Sequence, residues 1–105
     1  MSVDVTDATF QRDVLASSKP VLVDFWTEWC APCNPLAVSF DELSVELGAK
    51  ITIAKVNAET SPNITNKYGV RGFPTMLIFK DGQVLASRSG AMPKNKLREW
   101  IEQSV

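Results

Sequence analysis

Two cysteines separated by two residues, Cys30-Ala31-Pro32-Cys33, are the residues of this chain best suited to covalent chemistry. They follow the apolar run Val21-Leu22-Val23-Asp24-Phe25-Trp26 and open a stretch of helical periodicity, so Cys30 falls at the start of a helix. The free N–H groups and positive dipole end there stabilise a thiolate at Cys30, and a thiolate is the nucleophile. The two-residue spacing lets Cys33 reach back and attack a mixed disulfide formed at Cys30. The substrate then leaves reduced, which completes a two-electron thiol–disulfide cycle. Pro32 fits the first helical turn, where its missing donor matters little, and stiffens the link. A structural disulfide is a weaker reading, because closing so small a loop removes little unfolded-state entropy. A mononuclear zinc site would need two carboxylates or a second chain, since the sequence has no further cysteine and no histidine. No metal is therefore expected. The absence of histidine also removes Ser-His-Asp and Cys-His nucleophilic sites, leaving the pattern of a redox CxxC beside a βαβ unit.

Asp24 is the second chemical residue. Inside Val-Leu-Val-Asp-Phe-Trp its carboxylate is desolvated and its pKa raised, which suits it to take a proton from Cys33 as that thiol attacks and to return it later. Lys55, in Ile53-Ala54-Lys55-Val56, is its partner if the two strands are adjacent; the alternative is a structural ion pair with no catalytic part. Other residues say less by themselves. Trp29 beside Cys30 is either a flat surface for a peptide or core filler. Pro74, in Phe73-Pro74-Thr75, marks an edge or a strand start, and sequence physics alone would leave the bond before it trans. Gly69, Gly72 and Gly90 serve either turns or close backbone approach.

The elements that must position these groups follow from periodicity. Thr6 is placed as N-cap of a helix carrying Phe10 and Val14, which breaks at Ser17-Ser18-Lys19-Pro20. Val21 to Trp26 reads as a central strand covered on both faces. Leu36, Phe40, Leu43 and Leu47 mark the longest helix, with Gly48 at C′. Ile51 to Asn57 is a second buried strand, completing a right-handed βαβ unit. Ser61 as N-cap and Pro62 at N1 open a short helix that Gly69 closes. Thr75 to Phe79 and Gln83 to Ser87 form a hairpin through Asp81-Gly82. Pro93 opens a last helix with Leu97, Trp100 and Ile101 as its buried stripe. The fold class is α/β: a mixed sheet with helices on both faces.

The chain has 105 residues, so a single domain over 1–105 is expected, and 45% hydrophobic residues suffice for one core. Eleven basic and twelve acidic residues give a net charge of −1, which offers nothing to attract nucleic acid. No apolar stretch approaches the roughly 20 residues needed to cross a bilayer, and the N-terminal residues lack a basic and an apolar region of a signal peptide. A cytoplasmic protein without nucleic-acid or membrane partners is expected.

Val23-Asp24-Phe25-Trp26, Glu28-Trp29-Cys30-Ala31-Pro32-Cys33, Ala54-Lys55-Val56-Asn57, Tyr68-Gly69-Val70-Arg71-Gly72-Phe73-Pro74-Thr75, Phe79-Lys80-Asp81-Gly82 and Gly90-Ala91 occur in order between about Val5 and Gln103. In these motifs and their spacing the chain resembles the thioredoxin family. The resemblance implies a thioredoxin fold, with a central five-stranded mixed β-sheet flanked by four α-helices. It implies Cys30 as attacking thiol, Cys33 as resolving thiol and Asp24 as buried proton carrier near Lys55. It implies a cis Pro74 facing the disulfide, and a shallow docking surface made by Trp29, Gly72, Phe73, Pro74, Gly90 and Ala91. The activity implied is reduction of disulfides in target proteins by a monomer without a bound cofactor, recharged by a thioredoxin reductase that draws on NADPH or ferredoxin. A disulfide donor or isomerase, and a binding module indifferent to its cysteines, are the alternatives.

The sequence departs from the family at the site itself. Ala31 replaces the usual glycine, and Asn34 replaces the usual basic residue, so that Ala31, Pro32 and Asn34 together tune the redox pair. The missing positive charge at Asn34 makes Cys30 a slightly weaker acid. Val38 replaces the usual kink proline while Pro35 stands three positions earlier. Pro35 would forfeit a bond to Ala31 if the helix already began there, so an irregular first turn, or a helix beginning nearer Asn34, is expected.

Overall fold

The computed structural model describes residues 2–105. In chain order the elements are β1 (Val3–Asp4), α1 (Gln11–Leu15), β2 (Val21–Trp26), α2 (Cys33–Glu46), β3 (Thr52–Asn57), α3 (Pro62–Lys67), β4 (Thr75–Lys80), β5 (Gln83–Ser89) and α4 (Lys94–Ser104). The sheet runs β1-β3-β2-β4-β5; β1, β3 and β2 are parallel, while β4 is antiparallel to both β2 and β5. Five strands and four helices match the thioredoxin fold. β1 is two exposed residues, too short for any period, which is why periodicity yields only four strands.

β2 is central because it is apolar on both faces, and its first five residues are buried. Side chains alternate along it. Val21, Val23 and Phe25 pack with Phe10 and Val14 of the α1 segment and Ile64 of α3. On the opposite face, Leu22 packs with Leu36, Phe40 and Leu43 of α2 and Leu97, Trp100 and Ile101 of α4. Asp24 shares the parity of Leu22, so its carboxyl group lies beneath α2. The β4–β5 hairpin turns through Asp81 and Gly82, both at positive φ (51° and 78°), as a two-residue turn of primed type requires. A bulge then makes Leu85 an additional residue, since Ile78 pairs with Ala86 and Phe79 with Val84.

Local details differ from the sequence reading at four helix ends. Thr6 does not cap with its hydroxyl; its N–H donates to Thr9 Oγ1 at 2.9 Å and its carbonyl accepts from Phe10 N–H. The α1 turn is of π type, closed by Ala16 N–H on the Gln11 carbonyl. Gly48 follows the C-cap as placed, yet it is not left-handed; a Cβ there would sit 2.8 Å from the Ser44 carbonyl oxygen, so glycine is needed for close approach. Pro93 is the cap, at ψ 154°, and the helix starts one residue later than expected. In α3 the Ser61 hydroxyl makes no cap. The helix N–H groups of Asn63 and Ile64 donate instead to the Asp7 carboxylate, at 3.2 and 2.9 Å, from far upstream in the chain.

Candidate active site

The site begins where β2 leaves the sheet. Cys30 N–H donates to the Thr27 carbonyl at 3.3 Å, Cys33 N–H to Cys30 and Asn34 N–H to Ala31, both at 3.2 Å. These tight turns carry the chain into α2, whose first residue is Cys33 and whose cap position is Pro32. Pro35 thus sits third in the helix, among the positions whose N–H has no intrahelical partner, and the Ala31 carbonyl is already taken by Asn34. The feared loss does not occur, and regular helix starts one residue before Asn34.

Cys30 and Cys33 form a disulfide with Cα atoms 5.4 Å apart. Both residues are buried in this oxidised state, while Ala31, Pro32 and Asn34 are exposed around them. Trp29 is 68% exposed, which removes the core-filler reading, and its ring meets that of Phe73 edge to face at 5.8 Å. The Phe73–Pro74 bond is cis. The Pro74 carbonyl accepts from Gly90 N–H at 2.9 Å, with Gly90 at φ 90°, and Thr75 Oγ1 donates to the Gly72 carbonyl at 2.6 Å. The first bond ties the 72–75 segment to the exposed Gly90-Ala91 loop, and the second closes a turn within that segment.

Behind Cys33 lies a cavity of about 190 Å³ lined by Asp4, Asp24, Trp26, Cys33, Asn34, Ala37 and Lys55. Asp24 is 1% exposed, and its Oδ1 has no hydrogen-bond partner in the protein; buried Trp26 Nε1 also lacks one. Burial pushes the Asp24 carboxyl from the ordinary 3.8 up to about 7, against a smaller downward pull from the Lys55 ammonium.

Asp24 and Lys55 are direct register partners across β2 and β3, as the sequence reading required. Their side chains do not bond. Lys55 Nζ instead meets Asp41 Oδ1 of α2 at 3.2 Å, and the same oxygen accepts from the Ser2 hydroxyl at 2.7 Å. The Ser2 hydrogen bond, and then Lys55, hold Asp41 below the usual carboxylate range. Sequence reasoning missed Asp41. The signal was present in the spacing Cys33, Ala37, Asp41, an i, i+4, i+8 row on one face of α2 whose first two members line the cavity. Among the described residues, no group of three or more His, Cys, Asp or Glu side chains is placed to hold a metal ion.

The thioredoxin family profile matches residues 1–103. The chain belongs to the thioredoxin family. It is 54% identical over 101 residues to a thioredoxin of Rhodospirillum rubrum, covering 96% of this chain and 97% of that one. Against a thioredoxin of Rickettsia felis it is 45% identical over the full length of both chains. Against thioredoxin C-2 of Corynebacterium nephridii it is 46% identical, covering 98% of this chain and 95% of that one. With its Cys30–Cys33 pair disulfide-bonded, this thioredoxin-family chain is a dithiol–disulfide oxidoreductase of the protein-disulfide reductase type. Among the described residues, no helix is long and apolar enough to cross a membrane.

Proposed function

We propose that the reduced chain opens disulfides in target proteins by attack of the Cys30 thiolate and resolution by Cys33, with Asp24 as proton carrier. The attack forms a Cys30–target mixed disulfide and displaces one target thiolate. Cys33 then gives its proton to the Asp24 carboxylate and attacks Cys30 Sγ, which breaks the mixed disulfide and frees the second target thiolate. Two electrons pass to the target, and the chain is left with its own disulfide. The observation that carries this reading is that Cys33 and the buried Asp24 line one cavity behind the disulfide. A carboxyl that ionises near pH 7 is matched to moving a proton both ways at that pH.

In this reading the docking surface is the exposed Trp29 ring, its neighbour Phe73, and the backbone of Gly72, Pro74, Gly90 and Ala91, which suits an extended peptide flanking the target disulfide. Ala31, Pro32 and Asn34 set the redox poise, and Asn34 brings no charge to the pair. A thioredoxin reductase drawing on NADPH or ferredoxin restores the dithiol, in the cytoplasm.

The test is reduction of a two-chain disulfide-linked protein by dithiothreitol, with and without catalytic amounts of this chain, and then by NADPH with a thioredoxin reductase in place of dithiothreitol. Acceleration in both is expected; a rate no greater than that of dithiothreitol alone would overturn the reading. In the same assay Trp29→Ala should raise KM for the protein target about 10-fold, the loss of one aromatic contact of about 1.4 kcal/mol. Its rate on a small aromatic disulfide should stay within about twofold, because such a substrate makes no extended contact. Equal effects on both substrates would remove Trp29 from the docking surface.

A further inference from the structure

The pairing of Lys55 is unexpected on register alone. It stands between Asp4 of β1 and Asp24 of β2, a direct partner of each, yet its ammonium goes to neither and reaches Asp41 on α2. Burial explains the preference for Asp41 over Asp24. Asp24 is 1% exposed, whereas the Asp41 side chain is 60% exposed and lines an open groove with Ser2, Glu42 and Val45. Closing onto Asp24 would strip the ammonium of water, while Asp41 offers an anion at the cavity mouth. Asp41 is oriented for this by the Ser2 hydroxyl on the same oxygen.

We infer that Asp41 is a positioning residue for Asp24: by holding the Lys55 ammonium at the cavity mouth, it keeps that cation from closing onto Asp24 and so sets the pH at which Asp24 changes charge. The charged and titratable groups around Asp24 are Asp4 from β1, Lys55 from β3, and Asp41 with Cys33 from α2; β4 presents the uncharged Met76 in register. Lys55 is the only one of these that is flexible enough to approach by several ångströms. Without the Asp41 charge its register partners, the exposed Asp4 and the buried Asp24, are the anions left to it in the sheet, and any share of the ammonium that turns to Asp24 lowers its midpoint. An ammonium within hydrogen-bonding distance of Asp24 favours the carboxylate.

The kinetic side of this inference rests on the reading that Asp24 serves Cys33, so the test separates the two. The Asp24 carboxyl carbon is titrated by NMR in the oxidised full-length protein, where no thiol titrates. Asp41→Asn should lower the Asp24 midpoint by about one pH unit, and Asp41→Glu should restore it. In a Lys55→Met background Asp41→Asn should shift nothing. An unchanged midpoint in Asp41→Asn overturns the inference, and so does an equal shift in the Lys55→Met background, which would mean a direct field from Asp41. The pH profile of target release from the mixed disulfide should move to lower pH together with the midpoint. A midpoint that moves while the release profile stays supports Asp41 as positioning residue and overturns Asp24 as proton carrier.

Discussion

Cys33→Ser is expected to convert the catalyst into a trap. Cys30 keeps its place in the turn at the start of α2 and still attacks a target disulfide, but nothing within the chain can then displace the target. Internal attack by a thiol held in place is equivalent to an external thiol at an effective concentration of about 10⁵ M or more, far beyond the millimolar thiol of an assay. Multiple turnover should therefore fall by at least ~10³-fold, while the first half-reaction proceeds and a covalent adduct accumulates. Non-reducing electrophoresis and intact mass read that adduct directly. Cys30→Ser should abolish both turnover and adduct. Equal adduct yields from the two variants, or rapid release from Cys33→Ser, would show that the order of the cysteines has been assigned wrongly.

Asp24→Asn should separate chemistry from stability. With no base beside Cys33, release from the mixed disulfide at pH 7 should slow by about 10²-fold, the lower range for removing a positioned proton acceptor, while the initial attack by Cys30 stays nearly unchanged. Single-turnover tryptophan fluorescence resolves the two steps, and equal release rates would end the assignment. Stability should move the other way. Asp24 is held near a pKa of 7 in the folded chain against 3.8 when exposed. Between those pH values the folded state keeps a proton that the unfolded state has lost, so stability falls as pH rises through this window and levels off above it. The contribution amounts to about 4 kcal/mol in total. The Asn variant lacks this slope, so it should match the parent near pH 4 and exceed it by a few kcal/mol at pH 8 in urea denaturation of the oxidised protein. Parallel stability curves for the two would remove Asp24 as the source.

The sequence made the central strand, the long helix, the hairpin and the cysteine pair legible because each is written in local terms. Asp81-Gly82 specifies its turn without help from the rest of the chain, and the Leu36, Phe40, Leu43 stripe is set by helical period. What was hidden depends on contacts between distant segments. β1 is a strand only because Val3 and Asp4 lie beside Ala54 and Lys55. The Lys55 partner is Asp41 because burial, which the sequence does not display, makes Asp24 the costlier choice. Trp29 is exposed because the chain turns out of the sheet at Thr27, and residue type alone points the other way. The cis bond before Pro74 was legible only through the family resemblance, not from the residues themselves.

The Asp7 cap on α3 ties the amino-terminal segment to the middle of the chain. Six residues cannot sustain a helix in water without outside help, and here the help comes from a carboxylate near the start of the chain. The backbone leaving α3 runs through Gly69 directly into Gly72, Phe73 and Pro74, so the placement of the cis-proline segment depends in part on residue 7. Replacing Asp7 would therefore be felt in the segment around Phe73 and Pro74 as well as in α3 itself.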